Sequence, residues 1–286
     1  GADLRTGTRA LGIEVGRGRA RAVEVEELSG RRARVTANTV IVAAGATQTP
    51  ALLLRSQLGG PAVGRNLAMH PTVKVVAHVP GLVNDPFDVP TYQVKEFAPW
   101  LSLGGSAGAP SLLALQLADT PAHVRAALGD WRELGSYYAA ITSAGRGRVR
   151  LLRGRRDPLV TYALTSGDIA ALRSGMGRLL HLLLAAGATR LYPSYANAPA
   201  VDQPAGIPAA VAAIGRSNAT VMTVHLMGTA RMGSNPDTSV TDSRGRVHGV
   251  DGLRVCDASV IPDAPGVNPQ GTILALAHRT MEDLLR

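Results

Sequence analysis

The chain has 286 residues, 45% of them hydrophobic and 18% charged, so its composition allows a packed core and argues against a disordered protein. Its formal net charge of +9 comes mainly from arginine spread along the chain, and only 3% of residues are aromatic, so no platform for stacking nucleic-acid bases is visible. A transmembrane helix is excluded because no run of 18 apolar residues occurs, and one cysteine excludes an internal disulfide.

The first elements along the chain are predicted to be extended. Alternating apolar and polar residues over 11–25, with glycines at 16 and 18, predict a β-hairpin. A second strand is predicted over 35–44, and its continuous apolar end is typical of a buried strand. A short helix over 49–56 follows, with Pro50 in its first turn, where proline is tolerated.

The rest of the chain alternates sheet and helix signals. In chain order these are a strand at 73–79, an irregular proline-punctuated segment at 80–110, strands at 148–151 and 159–162, a helix at 169–186, a loop at 197–215, a strand-like run at 247–255 and a closing helix at 271–285. Because both ends of the chain have α/β character, we expect a discontinuous domain with an insertion. The expected segments are 1–70, 71–220 and 221–286.

Five ordered motifs carry a resemblance to a known family. They are NTVIVAAGATQTP at 38–50, VGRNLAMHP at 63–71, HLMGTARMG at 225–233, VHGVDGLRVCDAS at 247–259 and PGVNPQGT at 265–272. In residue type and spacing this set resembles the signature of the glucose-methanol-choline (GMC) oxidoreductases. The resemblance implies an α/β fold, namely part of a Rossmann-like FAD-binding domain with an inserted substrate domain of antiparallel or mixed sheet plus helices. It also implies FAD-dependent oxidation of an alcohol (a CH–OH donor) to a carbonyl.

Within that resemblance, two residues match the family's catalytic positions. His225 matches the histidine that takes the hydroxyl proton, and a neutral imidazole is a suitable proton acceptor near neutral pH. Asn268 matches a position held by histidine or asparagine. Since an amide can hold the substrate oxygen but cannot act as a base, the proton is assigned to His225.

The family's cofactor contacts transfer to several further positions. The residues implied to bind FAD are Ala10, Ala44, Gly45, Asp257, Ala258, Asn268, Pro269 and Gln270. Asp257 and Ala258 follow a predicted strand, at the place where the family's backbone meets the phosphate and ribityl region. Asn268 and Pro269 precede the closing helix, whose free N–H groups and positive dipole end would face the flavin.

The other histidines receive structural interpretations. His70 is left open between a loop residue near the flavin and a structural one. His181 is interpreted as a packing residue, His248 as a turn residue that is either solvated or hydrogen-bonded, and His278 as structural. Because no set of histidines and carboxylates has metal-ligand spacing, no metal is predicted.

The strand–GxGxxG–helix unit that grips a dinucleotide pyrophosphate does not occur in these residues. We therefore expect a partner, the N-terminal half of the same enzyme as a separate chain that carries this motif, produced by cleavage or from a split gene. The alternative is that the chain is a truncated form of a longer protein. The single cysteine favours a reducing compartment, and no secretory signal is visible in the first residues, so we expect a cytoplasmic protein; export of a disulfide-free protein is the alternative.

Two other functions remain open, a flavin-containing lyase of the hydroxynitrile type and a non-catalytic subunit of a flavoprotein complex. Oxidase and dehydrogenase activities are not separated. The small number of charges between Phe97 and Gln116 favours an apolar or bulky uncharged alcohol as the substrate.

Overall fold

The computed structural model describes residues 1–85, 87 and 93–286. Within them the strands are, in chain order, β1 (Thr8–Gly16), β2 (Arg19–Glu27), β3 (Arg32–Thr36), β4 (Val40–Val42), β5 (Ala68–Met69), β6 (Thr72–His78), β7 (Gln93–Val94), β8 (Leu101–Ser106), β9 (Leu134–Ile141), β10 (Arg146–Arg150), β11 (Leu159–Ala163), β12 (Arg190–Pro193), β13 (Leu226–Met227) and β14 (Leu253–Val255). The helices are α1 (Gly45–Arg55), α2 (Pro110–Leu117), α3 (Pro121–Ala127), α4 (Ser166–Ala185), α5 (Ile207–Ala212) and α6 (Gln270–Leu285).

The predicted opening hairpin is present as β1 and β2, and β3 extends it to a three-stranded antiparallel sheet. The single strand predicted over 35–44 is wrong, because the chain leaves β3 after Thr36 and starts a separate strand at Val40. This break lets β3 pair with β2 while β4 pairs in parallel with β14, in the register Val42 to Val255. One continuous strand could not serve both partners.

Helix α1 begins at Gly45, four residues before the predicted start, so Pro50 lies inside it rather than in its first turn. A proline inside a helix removes the N–H that would bond the carbonyl four residues earlier. Here the Thr229 hydroxyl donates to that carbonyl, on Ala46, at 2.7 Å. Both β4 and α1 belong to a hydrophobic cluster whose members lie in the first 63 residues and between 230 and 260.

The middle of the chain is built on a five-stranded antiparallel sheet in the order β12-β6-β9-β8-β7. Helix α4 packs on one face of this sheet, against apolar residues that alternate along β6, β8 and β9. The helix begins with a capping box in which Thr165 and Asp168 bond each other's backbone N–H groups. Gly187, with a φ of +95°, follows the end of the helix, where glycine commonly adopts this left-handed conformation.

Two segments predicted to be irregular contain regular structure. Residues 80–110 contain β7 and β8, while Pro86 and Pro90 lie outside the described residues. Helix α5 lies within 197–215, and its Ile207 and Ala210 are buried against α4. Both segments form regular structure because they pack against strands and helices that are distant in the sequence. Local sequence patterns do not show these contacts.

The other histidines have varied surroundings. His181 is exposed, so its interpretation as a packing residue is wrong; it lies two positions after Leu179, about 200° around the helix from the buried side. His248 accepts or donates a hydrogen bond with Ser239 at 3.1 Å, in a turn as predicted. His278 is exposed and pairs with Glu282 at 3.6 Å.

The two largest hydrophobic clusters share no residue. One spans residues 73–214 and the other joins the beginning of the chain to its last third. This separation favours the expected division at 1–70, 71–220 and 221–286, which stays a prediction. No helix in the described part of the chain is both long and apolar enough to cross a bilayer.

Candidate active site

His225 lies beside a short antiparallel strand pair that brings it to His70. In the register of β5 and β13, Leu226 pairs with Met69, so the residues just outside this pair face each other. The two imidazole rings meet edge to face, with centroids 5.2 Å apart and a distance of 3.2 Å between the Nδ1 atoms. The structure therefore places His70, left open by the sequence, in direct contact with the predicted base.

The hydrogen-bond partners assign the tautomers of this pair. The Pro265 carbonyl can only accept, so His70 donates through Nε2. Burial lowers the pKa of His70, and the neutral ring then has an unprotonated Nδ1. His225 donates its Nδ1–H to that atom, which leaves the lone pair of its own Nε2 without a partner among the described residues.

The electrostatic surroundings keep His225 neutral. Burial has the largest effect on the pKa of His225, and electrostatic interactions with His70 and Lys95 lower it further, to about 4. At neutral pH the ring is therefore uncharged and able to accept a proton at Nε2. The protonation state and the free atom both suit a general base.

Asn268 shares a cavity of about 340 Å³ with His70 and His225. The Oδ1 atom of Asn268 accepts a hydrogen bond from Gln93 Nε2 at 3.1 Å, and Gln93 also donates to the Tyr138 hydroxyl. This contact orients the amide so that its two Nδ2–H donors are unused by the described residues. The catalytic pair predicted from the sequence thus lines a single cavity, with both Asn268 donors and the His225 acceptor available.

One wall of the cavity is the face of the five-stranded sheet that does not contact α4. Strand alternation sends Thr72 and Lys74 of β6 to this face, while Val73 and Val75 point to the core. Tyr138 of β9 lies opposite Lys74. These wall residues were missed because β9 was not predicted, although the alternation in β6 could have identified Lys74.

The close approach of Tyr138 to β8 depends on a glycine. A Cβ atom added to Gly104, which pairs with Tyr138, would lie 2.7 Å from its hydroxyl oxygen. Any larger residue at this position would displace the tyrosine from the wall. The absence of a side chain at Gly104 therefore sets the shape of the cavity.

The predicted cofactor residues gather where the parallel strands β4 and β14 end. Ala44 and Gly45 follow β4, and Asp257 and Ala258 follow β14, so the parallel pairing places these four residues at one sheet edge. Ligands of open α/β sheets bind at this edge. No group of three or more histidine, cysteine, aspartate or glutamate side chains in the described residues could hold a metal ion.

The Asp257 carboxylate itself is occupied by the protein. It accepts hydrogen bonds from the Gly45 N–H at 2.9 Å, the Ser259 N–H at 2.7 Å and the Thr49 hydroxyl. The side chain therefore joins the two strand ends to each other. What remains available to a ligand here is the backbone.

Ala10 and Ala44 line a second cavity, of about 350 Å³, together with Arg9, Gln48 and Arg55. Asp157 also lines this cavity and pairs with Arg9 at 3.4 Å, and both guanidinium groups donate to the Arg156 carbonyl. Their remaining N–H groups and the Gln48 amide suit the polar parts of a nucleotide. At the neighbouring strand end Gly45 has a φ of +78°, and a Cβ added to it would meet no atom within 4 Å. The backbone there is open to close approach, so the residues present fit part of an FAD site.

Pro269 and Gln270 stand at the start of α6, where no side chain caps the helix. The first N–H groups of this 16-residue helix are therefore available, and Asn268 precedes them directly. This arrangement puts the positive end of the helix dipole beside the first cavity.

Comparison with known proteins identifies the family. A family profile described as GMC oxidoreductase matches residues 143–277, and a second with the same description matches residues 1–72. A GMC-type oxidoreductase of Sinorhizobium fredii is 38% identical over the whole chain, which spans 57% of that relative. The 5-(hydroxymethyl)furfural oxidase of a Methylovorus species is 30% identical, over 99% of this chain and 55% of its own.

Solved structures show the same fold. The crystal structure of a pyridoxine 4-oxidase superposes with a TM-score of 0.69 at 22% identity, over 96% of this chain and 57% of the other. This likeness confirms the expected mixed α/β architecture related to Rossmann-like FAD-binding proteins.

The chain spans somewhat more than half the length of the Sinorhizobium and Methylovorus relatives. In them the matched region is one part of a longer single chain, so the expectation of a separate N-terminal partner polypeptide is not supported. The expected family is confirmed: this chain belongs to the GMC oxidoreductases.

Proposed function

We propose that this chain supplies the substrate side and part of the cofactor side of a flavoenzyme that oxidises an alcohol to a carbonyl. One observation carries the proposal. The bonds from Pro265 through His70 to His225 leave an unprotonated Nε2, and the amide of Asn268 lines the same cavity. An acceptor for a proton and a donor to an oxygen are the two protein groups that alcohol oxidation requires.

His225 would remove the hydroxyl proton of the alcohol at Nε2. The Nδ1–H of His225 stays hydrogen-bonded to His70, whose Nε2–H is held by the Pro265 carbonyl, so the ring keeps its orientation as it takes the proton. Asn268 would donate from Nδ2 to the alcohol oxygen, fixing which C–H bond faces the cofactor. FAD, when bound, supplies the acceptor for the hydride that leaves the alcohol carbon.

The residues that would hold FAD are those at the two strand ends and at the start of α6. Ala44, Gly45 and the backbone of Asp257 and Ala258 would meet the phosphate and ribityl region, and Ala10 the adenine side. Asn268, Pro269 and Gln270 would lie by the flavin ring system, where the exposed N–H groups of α6 favour negative charge.

The names of the relatives support the substrate class. Long-chain-alcohol oxidases of Arabidopsis thaliana are 25% and 26% identical over about nine tenths of this chain. The furfural oxidase from Methylovorus is named for a compound that bears a hydroxymethyl group. The first two names state an alcohol as the compound oxidised, and the third states a compound that contains one.

The test is reduction of the bound flavin by alcohols without oxygen. In flavin-loaded protein, a panel of primary and secondary alcohols should bleach the yellow absorbance, which a lyase or a non-catalytic subunit would not do. His225→Ala should slow this bleaching by about 10²- to 10⁴-fold, the usual contribution of a general base. The matched control, His278→Ala, removes an exposed histidine outside the cavity and should leave the rate unchanged. Equal rates in both variants would refute the assignment of His225.

A further inference from the structure

The chain contains only two lysines, Lys74 and Lys95, and all its other Lys-plus-Arg residues are arginines. Both lysines stand at the His225 cavity. Lys74 lines it, and Lys95 donates to Ser102, another lining residue, over 3.4 Å. Lysine is a compact point charge, whereas arginine presents a broad planar group. In a chain that otherwise uses arginine, two lysines at one cavity point to a shared task.

The sheet register aims Lys74 into the cavity. Its neighbours Val73 and Val75 are buried on the α4 side, so the side chain of Lys74 leaves from the opposite face. Its Nζ atom donates to Ser106 Oγ at 3.0 Å, and Ser106 also lines the cavity. Lys95 is exposed and lies at the rim.

These charges have no carboxylate partner in the described part of the chain. The described residues that line the cavity include no aspartate or glutamate, and neither lysine forms an ion pair with a described residue. Burial lowers the pKa of Lys74, and partial burial lowers the pKa of Lys95. Lys95 also lowers the pKa of both cavity histidines. A partly buried cation without a counter-charge is unfavourable unless a ligand brings the negative charge.

We propose that the alcohol substrate carries a carboxylate, bound by the Lys74 ammonium and the Ser106 hydroxyl, and that Lys95 attracts it at the rim. This inference rests on the proposed function, because the hydroxyl end must reach His225 and Asn268 in the same cavity. A volume of about 340 Å³ suits a small hydroxy acid. A carboxylate-bearing alcohol replaces the uncharged alcohol expected from the few charges in residues 97–116. That expectation did not include the two lysines, because both lie outside that segment.

The experiment compares two alcohols of the same shape that differ in charge. 4-(Hydroxymethyl)benzoate and 4-(hydroxymethyl)benzamide are given to the flavin-loaded protein, and kcat/KM is measured for each. The carboxylate should be preferred by about 10- to 100-fold, the range expected of a charge-assisted hydrogen bond. Lys74→Met should reduce this preference at least tenfold. Lys95→Met should reduce the preference less. The contribution of Lys95 to the preference should decrease with added salt, because an exposed charge is screened.

Arg148→Met is the matched control, because it removes an exposed positive charge that lies outside the cavity. It should leave the carboxylate preference unchanged. Titration with unreactive benzoate and benzamide, followed by the flavin absorbance, gives the same comparison without turnover. Since Lys95 is exposed, Lys95→Met keeps the test valid if Lys74→Met does not fold.

The outcomes separate this inference from the proposed function. If both alcohols are oxidised and bound equally, or if the preference survives both lysine substitutions, the carboxylate assignment is overturned and alcohol oxidation stands. If neither these probes nor any neutral alcohol reduces the flavin, the proposed oxidation itself is overturned, and the substrate assignment fails with it.

Discussion

Two short strand pairs border the site, and the polar side chains beside them are used in opposite ways. Beyond β4 and β14, the Asp257 carboxylate accepts three hydrogen bonds from the protein. Beyond β5 and β13, the bonds that join His70 and His225 end at a nitrogen that has no partner among the described residues. The first arrangement is complete and holds two elements together. In the second, the lone pair of His225 Nε2 accepts no hydrogen bond from the described residues, so it is available to accept a proton from a substrate.

This comparison predicts that Asp257 matters for stability more than for proton transfer. Asp257→Ala would leave two backbone N–H groups and the buried Thr49 hydroxyl without their acceptor, so we expect the free energy of unfolding to fall by about 3 kcal/mol. Urea unfolding followed by circular dichroism measures the change. Asp263→Ala, which breaks an exposed pair with Arg146, is the control and should cost less than about 1 kcal/mol. Equal losses would show that Asp257 does not join the strand ends.

The second prediction concerns His70 as a positioning residue. His70→Ala removes the acceptor that fixes the tautomer of His225, so kcat should fall by roughly 10- to 100-fold while flavin stays bound. His70→Asn should restore part of the rate, because an amide oxygen can accept from His225 Nδ1.

The pH profile distinguishes this role from simple packing. His70 contributes to the low pKa of His225, so its removal should move the acid limb of kcat/KM to higher pH. An unmoved limb, or an asparagine variant no faster than alanine, would contradict the positioning role.

The third prediction is the pH dependence of the unmodified protein. With a pKa of about 4, His225 is neutral above that pH and charged below it. Activity should therefore be independent of this group from pH 5.5 upward, and kcat/KM should fall about tenfold per pH unit once the pH is well below 4. Circular dichroism at each pH checks that the protein remains folded. If the acid limb of kcat/KM lies near pH 6.5, the ordinary pKa of histidine, the cavity does not disfavour the protonated form of His225.

The parts of the fold and of the site that depend on local sequence could be predicted, and the parts that depend on contacts between distant segments could not. His225, Asn268 and the residues at the strand ends lie within short ordered motifs. In the structure His225 and Asn268 line one cavity, and Ala44 lines another. The wall formed by Lys74 and Tyr138 was not predicted, because it exists only once β6 pairs with β9, which is distant in the sequence. The alternation within β6 indicated a face for Lys74 without showing what that face would meet.

Helix α1 shows the same limit at a single hydrogen bond. The sequence predicted a helix over 49–56 with Pro50 in its first turn, where proline is tolerated. A proline further inside a helix leaves a carbonyl unpaired. That carbonyl, on Ala46, is instead satisfied by the hydroxyl of Thr229, which is 183 residues away. No local pattern could have indicated this donor, and the early start of α1 is the result.

The last prediction has the smallest expected effect and tests the hydrogen bond from the Thr229 hydroxyl to the Ala46 carbonyl. Thr229→Val keeps the shape of a fully buried side chain but leaves the Ala46 carbonyl unpaired, so the free energy of unfolding should fall by about 1–2 kcal/mol. Thr241 offers a matched control, because it is equally buried and its hydroxyl has no hydrogen-bond partner among the described residues. Thr241→Val removes an unsatisfied polar atom and should be neutral or slightly stabilising. Urea unfolding of both variants gives the comparison. If the two substitutions had the same effect, the Thr229 hydroxyl would not be what allows Pro50 to lie inside α1.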